Sequence, residues 1–372
     1  MSNAVKKGIS LLLLPFSALY GLVVGVRNIL FDLGIRKSES FDLPIICIGN
    51  LTVGGTGKTP HTEFLVSQLY EKFHIAVLSR GYKRKTRGFQ IADMESTAKE
   101  IGDEPYQIKQ KFPGITVAVC RQRAKGIKQL LADKGQTPPE VILLDDAYQH
   151  RRVKAGLNIL LTDYNRPIYN DCLMPTGRLR ESFGGRRRAH IVVVTKCPSN
   201  LSAEEAKRIE QALRLQKEQK LFFSTLKYGS LISVWGDTQR ELSTLSAETL
   251  VFLLTGIAHP EPIMDKLKST GVKITSIRYP DHHHFTPGDI SHINKIFNSM
   301  KKNGEAIIIT TEKDASRLKF CQGLSESVLK HLYYLPIEIK ILNNEQSTFN
   351  HIINEYIRQN SRDSQMDEEP SR

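Results

Sequence analysis

Short apolar runs alternate with segments of helical periodicity through residues 36–225. The runs that predict strands span residues 44–48, 74–79, 115–120, 141–145, 157–162 and 191–195. Each run is almost uninterrupted, which is typical of parallel strands covered on both faces. Strands that alternate with helices predict a doubly wound, mostly parallel α/β sheet. Because ligands of such sheets bind at the carboxyl ends of the strands, the residues after each strand are the first candidates for function.

The pattern loosens over residues 226–248, which we interpret as a linker or a β-ribbon, and then resumes. Residues 249–358 predict a second, smaller α/β domain. Its predicted strands span 251–254, 272–278, 306–310 and 335–341, and its predicted helices span 262–269 and 287–301. Thr286 and Pro287 are the N-cap and first-turn residues that a helix start favours. The polar residues 359–372 predict a disordered tail.

Residues 1–35 differ in kind, because residues 8–26 contain no charged side chain. Lys7 precedes this apolar stretch and Arg27 follows it. The stretch is just long enough to span a bilayer, although Pro15 and several small residues argue against a simple span. We favour a helix lying in, or partly through, the membrane surface. A secretory signal and a core helix of the globular domain are the alternatives.

Composition narrows the partners and the compartment. The chain has 372 residues, enough for two domains, and a net charge of +13 from 52 Lys and Arg against 39 Asp and Glu. Such a balance suits anionic partners such as nucleotides, acidic lipids or a phosphorylated substrate. The basic clusters at 83–87 and 186–188 are, taken alone, most simply solvated loops. Five cysteines without a C-x-x-C pair indicate reduced thiols of a cytosolic compartment.

A glycine-rich turn between a predicted strand and a predicted helix has the features of a phosphate-binding loop (P-loop). Its residues are Thr52, Val53, Gly54, Gly55, Thr56, Gly57, Lys58 and Thr59. The glycines let several N–H groups point at one oxyanion, and the helix N-terminus adds its positive end. Lys58 would neutralise the outer phosphates and Thr59 would bind Mg²⁺. Thr52 stands where the usual pattern has a glycine. Val53 occupies the position at which partitioning ATPases carry a lysine, which argues against that class.

Two carboxylates, Asp145 and Asp146, end the predicted strand at 141–145. A carboxylate at this place in a P-loop enzyme holds Mg²⁺ opposite the loop hydroxyl, directly or through water. Either aspartate can fill this role, and a pair of helix-capping aspartates is the alternative.

Ordered motifs along the chain resemble the tetraacyldisaccharide 4′-kinase family of lipid A biosynthesis. The matching segments are 49–60, 79–82, 102–105, 145–151, 175–181, 255–258, 281–282 and 310–315. They run from the first domain into the last predicted strands, and their order makes them far more specific than a P-loop alone. The chain departs from the family at Ala147 and Tyr148, where Gly-Phe is common.

The resemblance implies an activity, its cofactors and its partners. The activity is transfer of the γ-phosphate of ATP, with Mg²⁺, to the 4′-hydroxyl of a tetraacylated glucosamine disaccharide 1-phosphate. Such a lipid substrate implies work at the membrane surface, on the cytoplasmic face of the bacterial inner membrane. The apolar residues 1–35 and the positive net charge agree with this location.

The resemblance also assigns roles to residues of this chain. It makes Asp103 the general base and His282 the residue that orients it, with closure of the two domains excluding water. Arg123 and Arg180 would stabilise the transferring phosphoryl group beside Lys58. Thr59, Asp145, Asp146 and Glu181 would surround Mg²⁺, and Gln149 and His150 would line the site. Without the resemblance, Asp103 would pass as an ordinary helix start and Arg180-Glu181 as a surface pair.

Two other functions compete on the residues alone. A P-loop GTPase or metallochaperone-type switch protein would use the loop, the paired aspartates and the guanine-reading pattern that Lys196 and Lys313-Asp314 weakly resemble. It leaves the apolar N-terminus unexplained. A nucleic-acid-dependent ATPase would use the positive charge, but no nucleic-acid module or aromatic-basic stripe supports it, so we expect no nucleic-acid partner. No obligatory protein partner is evident.

Overall fold

The computed structural model describes residues 3–133, 135, 137–257, 259–281 and 283–366. The chain divides into two compact units. The first unit comprises Met1–Leu226 and Ile339–Arg372, and the second comprises Lys227–Glu338. Elements are numbered in chain order over the whole molecule.

The first unit contains a sheet of nine strands within the described residues. These strands are β1 (Ile45–Asn50), β2 (Ile75–Ser79), β3 (Gln90–Ile91), β4 (Thr116–Val119), β5 (Val141–Asp145), β6 (Leu157–Asp163), β7 (Ile191–Thr195), β8 (Lys220–Tyr228) and β15 (Ile337–Ile341). The helices of this unit are α1 (Asn3–Asp32), α2 (Lys58–Leu69), α3 (Ala98–Ile101), α4 (Asp103–Lys111), α5 (Arg123–Ala132), α6 (Ala203–Leu213) and α11 (Gln346–Met366).

The sheet has the order β15-β8-β7-β6-β1-β5-β2-β4-β3. Its central pairs are parallel, and β3 runs antiparallel to β4. Every residue of β1, β2, β5 and β7 is buried, because helices cover both faces. Two apolar clusters, one on each face, form the core. The structure therefore confirms the predicted doubly wound, mostly parallel α/β class.

The sheet depends on a close approach at Gly49, in the strand that precedes the P-loop. A Cβ atom at this position would lie 2.7 Å from Cβ of Tyr148 and 3.0 Å from its backbone nitrogen. The backbone must shift to accept it. We expect Gly49→Ala to lower the free energy of unfolding by about 1–3 kcal/mol.

Gly114→Ala is the matched control for this prediction, because a Cβ atom at Gly114 meets nothing within 4 Å. Denaturant unfolding of both variants checks the prediction. Equal stability of the two variants would contradict the close packing of Gly49 against Tyr148.

The chain returns to the first unit at its C-terminal end. Helix α11 packs Phe349, Ile353 and Ile357 into the core of that unit. The hydroxyl of Tyr356 accepts from the Ile45 amide (3.0 Å) and donates to the Ile45 carbonyl (3.1 Å) at the start of β1. The structure thus differs from the predicted second domain at 249–358, because the apolar face of α11 is buried against the first sheet.

The predicted disordered tail also needs correction. The sequence predicts disorder over residues 359–372, but helix α11 continues to Met366. The side chains of Asn360 and Ser361 donate to the carbonyls of Tyr356 and Ile357 on the preceding turn (2.8 and 2.9 Å). Residues 367–372 lie outside the described residues.

The second unit is a smaller α/β domain. Its strands are β9 (Leu231–Ser233), β10 (Gln239–Arg240), β11 (Leu250–Thr255), β12 (Lys273–Arg278), β13 (Ala306–Thr311) and β14 (Leu332–Leu335), and its helices are α7 (Glu261–Lys268), α8 (Pro287–Lys301), α9 (Glu312–Leu318) and α10 (Glu326–His331). The strand order is β10-β9-β14-β13-β11-β12. Residues 226–248 thus supply an antiparallel ribbon, β9–β10, which extends this sheet.

Helix α1 exposes its apolar side chains. The segment Leu12–Asp32 has a mean hydropathy of 1.6, is long and apolar enough to cross a membrane, and is only 6% buried. Leu12 is 74% exposed, Leu22 64% and Leu33 68%. A core helix would bury these side chains, so the core-helix alternative is wrong for this segment.

Candidate active site

The glycine-rich turn joins β1 to α2 at the carboxyl edge of the sheet. Gly54 and Gly57 have φ angles of 115° and 82°, which favour glycine. Helix α2 begins at Lys58 without a side-chain cap on its first turn. Its first N–H groups are therefore available to an oxyanion, as expected of a P-loop. Val53, Gly54 and Gly55 are exposed, and Thr59 is half-buried in that first turn.

Buried polar groups hold the turn from below. Asn50 donates its side-chain amide to the Thr56 hydroxyl (2.7 Å), and the Thr195 hydroxyl donates to the Thr56 carbonyl (2.9 Å). Lys196, after β7, donates to the Gly55 carbonyl and to Asp163 Oδ2 (2.7 Å). Residues at the carboxyl ends of β1 and β7 thus hold the loop in place through hydrogen bonds.

The two aspartates after β5 have different surroundings. Asp145 is buried and accepts from the hydroxyls of Thr62 (3.2 Å) and Ser79 (3.4 Å). Asp146 has a φ of 47°, which turns its side chain out of the strand line. Its Oδ1 lies 3.7 Å from Lys58 Nζ and 3.1 Å from Arg180 Nη1. The structure therefore brings Asp146, Lys58 and Arg180 together and leaves Asp145 beneath them.

The pKa values of Asp145 and Asp146 shift in opposite directions. Burial and, after it, the negative charge of Asp146 raise the pKa of Asp145 to about 6. Burial also opposes ionisation of Asp146, but the positive charges of Lys58 and Arg180 outweigh it, and its pKa falls. Asp146 thus stays ionised to a lower pH than Asp145 does.

Glu181 lies one residue beyond Arg180, and its carboxylate is buried and fully engaged. Its Oε1 accepts from Gln149 Nε2 (2.9 Å) and Arg188 Nη2 (2.8 Å), and its Oε2 accepts from Asn28 Nδ2 (3.0 Å). Gln149 also donates to the Asn50 carbonyl (2.8 Å) at the base of the loop. The predicted place of Glu181 beside Mg²⁺ stays a prediction.

Arg123 is buried and bonded to the backbone behind Asp146. Its side chain is 2% exposed, and its guanidinium donates to the carbonyls of Cys120 (2.7 Å) and Asp145 (3.1 Å). Burial lowers its pKa to about 10, so it remains charged at neutral pH. In this conformation Arg123 fixes the backbone from which Asp146 projects. Its role beside the transferring phosphoryl group stays a prediction.

Asp103 starts helix α4 and is half-buried. The neighbouring Glu104 lies close enough to Asp145 to raise its pKa. The start of α4 therefore belongs to the same sheet edge as Asp145 and the P-loop. His282, the predicted orienting residue, lies outside the described residues. The role of Asp103 as base stays a prediction.

Helix α2 carries a buried histidine behind the loop. His61 Nδ1 lies 2.7 Å from the Gly57 carbonyl, and Nε2 lies 2.9 Å from the Ser224 hydroxyl. Because a carbonyl only accepts, Nδ1 carries the proton and Nε2 accepts from Ser224. Burial lowers the pKa of His61 to about 4. Neutral His61 therefore ties the P-loop to strand β8.

This histidine predicts a loss of stability in acid. The native pKa of about 4 lies below the ordinary 6.5, so the native state binds fewer protons than the unfolded state between these values. Stability is complete above pH 6.5 and falls as the pH is lowered toward 4. We expect His61 to cost about 2 kcal/mol at pH 5 relative to pH 7.

Urea unfolding of wild type and His61→Asn at both pH values measures this cost. The variant should lose about 2 kcal/mol less than wild type on acidification. An equal acid loss in both proteins would show that His61 is not held neutral.

Several functional contacts were not foreseen from the sequence. Lys196 was considered only as part of a guanine-reading pattern, yet it anchors the loop. The basic cluster 186–188 was interpreted as solvated, but Arg186 is buried and donates to the carbonyls of Leu213 and Arg214 (2.6 and 3.0 Å). Asp314, which belongs to the same guanine-reading pattern, is buried in the second unit. Its carboxylate accepts a hydrogen bond from the Gly256 amide (2.8 Å).

The donor set at the loop fits Mg²⁺. In the part of the chain that the structure describes, no cluster of three or more His, Cys, Asp or Glu side chains could hold a metal alone. A nucleotide-bound Mg²⁺ needs only one or two protein oxygens, because phosphates and waters supply the rest. The Thr59 hydroxyl and the Asp146 carboxylate are hard oxygen donors of this kind. Asp145 and Glu181 accept hydrogen bonds from neighbouring side chains, and their place around Mg²⁺ stays a prediction.

The fold and the site together define a P-loop nucleotide-binding protein of the α/β class. A family model described as tetraacyldisaccharide-1-P 4′-kinase matches residues 9–358. The chain belongs to this family.

Named relatives agree with this membership. The tetraacyldisaccharide 4′-kinase of Bacteroides fragilis (strain YCH46) is 50% identical over 360 residues, covering 96% of this chain and 95% of the relative. That of Flavobacterium johnsoniae is 47% identical over 349 residues, covering 94% and 97%. The crystal structure of LpxK from Aquifex aeolicus in complex with ATP superposes with a TM-score of 0.70 at 28% identity, covering 94% of this chain and 99% of that one.

Proposed function

We propose that this protein transfers the γ-phosphoryl group of ATP to the 4′-hydroxyl of a tetraacyldisaccharide 1-phosphate. The observation that carries the proposal is the convergence of Lys58, Asp146 and Arg180 at an uncapped helix start. Membership of the kinase family supplies the acceptor, and the exposed apolar face of α1 suits a lipid acceptor.

The chemistry is an in-line displacement at phosphorus. Asp103 accepts the proton of the 4′-hydroxyl while the sugar oxygen attacks the γ-phosphorus, and the bond from that phosphorus to the β,γ-bridging oxygen breaks. ADP leaves with the electron pair of that bond. Lys58 and Arg180 offset the charge on the phosphoryl oxygens, and the loop amides hold the phosphates that remain on ADP.

Thr59 and Asp146 are the residues that we assign to Mg²⁺. When bound, the ion neutralises phosphate charge. Arg123 holds the Asp145 carbonyl and thereby sets the direction of Asp146. The Gln149 side chain, fixed between Asn50 and Glu181, lines the site next to Arg180.

The membrane surface is the proposed place of action, on the cytoplasmic side where ATP is present. Burial of the exposed leucine, valine and phenylalanine side chains of α1 in lipid would contribute favourable free energy on the order of 1 kcal/mol or more per side chain. A net charge of +13 adds attraction to anionic headgroups.

Incubation of the protein with ATP, Mg²⁺ and the disaccharide 1-phosphate lipid in mixed micelles tests the proposal. Mass spectrometry should find the lipid heavier by one phosphoryl group, with ADP formed in equal amount. A parallel incubation with GTP tests the switch-protein alternative. ATP binding with an unchanged lipid mass would refute the kinase assignment.

A further inference from the structure

Polar side chains recur along α1 at helical spacing and form one stripe on an otherwise apolar helix. This polar stripe consists of Ser17, Tyr20, Arg27, Asn28 and Asp32. Steps of three, seven and four residues, with Arg27 and Asn28 adjacent, place the members on one side of the helix. All five make hydrogen bonds to residues between positions 149 and 181 of the same unit.

The first half of the stripe holds the segment that leads to Arg180. Ser17 Oγ donates toward the Leu173 carbonyl (3.1 Å) and accepts from the Thr176 amide (3.0 Å). The hydroxyl of Tyr20 donates to the carbonyl of Arg180 itself (2.8 Å). The backbone of Arg180 is thus held from two sides, because its amide donates to the Leu51 carbonyl (2.7 Å) at the loop entrance.

The second half of the stripe holds the side chains around Arg180. Asn28 Nδ2 donates to Glu181 Oε2 (3.0 Å), while Gln149 and Arg188 occupy Oε1. Arg27 donates to the Gln149 carbonyl (2.5 Å). Glu181 is 2% exposed, so loss of the Asn28 amide would leave an unpaired buried carboxylate oxygen.

We propose that Tyr20 and Asn28 are positioning residues for phosphoryl transfer, acting through Arg180 and the Gln149–Glu181 pair. The proposal rests on the proposed function for its activity readout. Arg180 touches Asp146 at 3.1 Å, so a small shift of its backbone or of Glu181 moves its guanidinium relative to the loop. A misplacement of about 1 Å lowers a rate on the order of 10²-fold.

The opposite side of the same helix provides the matched control. Leu19, Leu22 and Val23 are 61%, 64% and 61% exposed and make the apolar face. Substitutions there alter membrane affinity without touching the site. Substitutions in the polar stripe alter the site without removing apolar area from the membrane face.

The experiment compares Tyr20→Phe, Asn28→Ala and Leu22→Ser in the full chain. Kinetics give kcat and KM for the glycolipid, and co-sedimentation with phosphatidylglycerol–phosphatidylethanolamine vesicles gives membrane binding. We expect kcat to fall about tenfold for Asn28→Ala and about threefold for Tyr20→Phe, with vesicle binding unchanged. Leu22→Ser should weaken vesicle binding and leave kcat at saturating micellar substrate near wild type.

Hydrogen exchange of the amides in residues 173–181 is the readout that needs no substrate. Faster exchange in Tyr20→Phe and Asn28→Ala, but not in Leu22→Ser, supports positioning even if the wild-type protein leaves the glycolipid unchanged and the proposed function fails. Unchanged exchange together with wild-type kcat in both stripe variants overturns the proposal. Parallel losses of vesicle binding and activity, with normal kcat at saturation, would make α1 an anchor only and also overturn it.

Discussion

Lys58→Met should lower kcat/KM for phosphoryl transfer by about 10³-fold, which corresponds to roughly 4 kcal/mol of transition-state stabilisation. Lys58 is the cation at the start of α2, 3.7 Å from Asp146, with 16% of its side chain exposed. Charge accumulates on the phosphoryl oxygens during transfer, and a fixed ammonium group offsets it at little reorganisation cost. Methionine keeps an unbranched side chain that is one heavy atom shorter and removes the ammonium group.

Lys72→Met is the matched control, because Lys72 is exposed just after the same helix. Initial-rate kinetics with glycolipid and ATP measure the effect, and thermal unfolding checks that both variants fold. The Lys72 variant should retain wild-type kinetics. A Lys58 variant within tenfold of wild type would show that the turn does not act as a catalytic P-loop.

The parts of the fold that follow from local pattern could be predicted from the sequence. The strands at 141–145 and 191–195 match their observed bounds, since uninterrupted apolar runs between polar ends determine them. The helix at 287–301 also matches, because Thr286 forms a full capping box with Asp289. Fold class and family were likewise predictable, and the comparisons confirm both.

Features that depend on contacts distant in sequence could not be predicted. The sequence pattern divides helix α11 between a second domain that ends at 358 and a tail that begins at 359. Nothing near Tyr356 reveals that its hydroxyl bonds to Ile45, more than 300 residues away. The resemblance gives Arg123 and Arg180 the same role, but tertiary packing buries the first and leaves the second beside Asp146. Our assignment of Mg²⁺ to Asp146 and not to Asp145 rests on the φ of 47° that turns Asp146 outward, which the sequence does not reveal.

The polar stripe of α1 shows the same limitation within one element. Composition predicts an apolar membrane-associating segment, and the exposed face agrees with that. Ser17, Tyr20 and Asn28 are too few to alter the mean hydropathy, so composition alone hides their contacts with the site. Their significance appears only when residues 173–181 are brought against them.

Asp103→Asn should lower kcat by about 10³-fold while Mg²⁺–ATP binding stays near wild type. Asparagine keeps the shape of the side chain at the start of α4 but cannot take the proton from the sugar hydroxyl. Because we assign nucleotide binding to the loop, Lys58 and Asp146, isothermal titration should report an unchanged Kd for ATP.

Glu104→Gln separates loss of the base from loss of charge. Glu104 adjoins Asp103 and contributes to raising the pKa of Asp145, so its neutralisation removes one negative charge from the same edge of the sheet. If general-base action is the role of Asp103, the Glu104 variant should keep kcat within a few-fold of wild type. Equal losses in both variants would mean that net charge near Asp145 governs the rate, and the proton acceptor would then have to be sought elsewhere in the site.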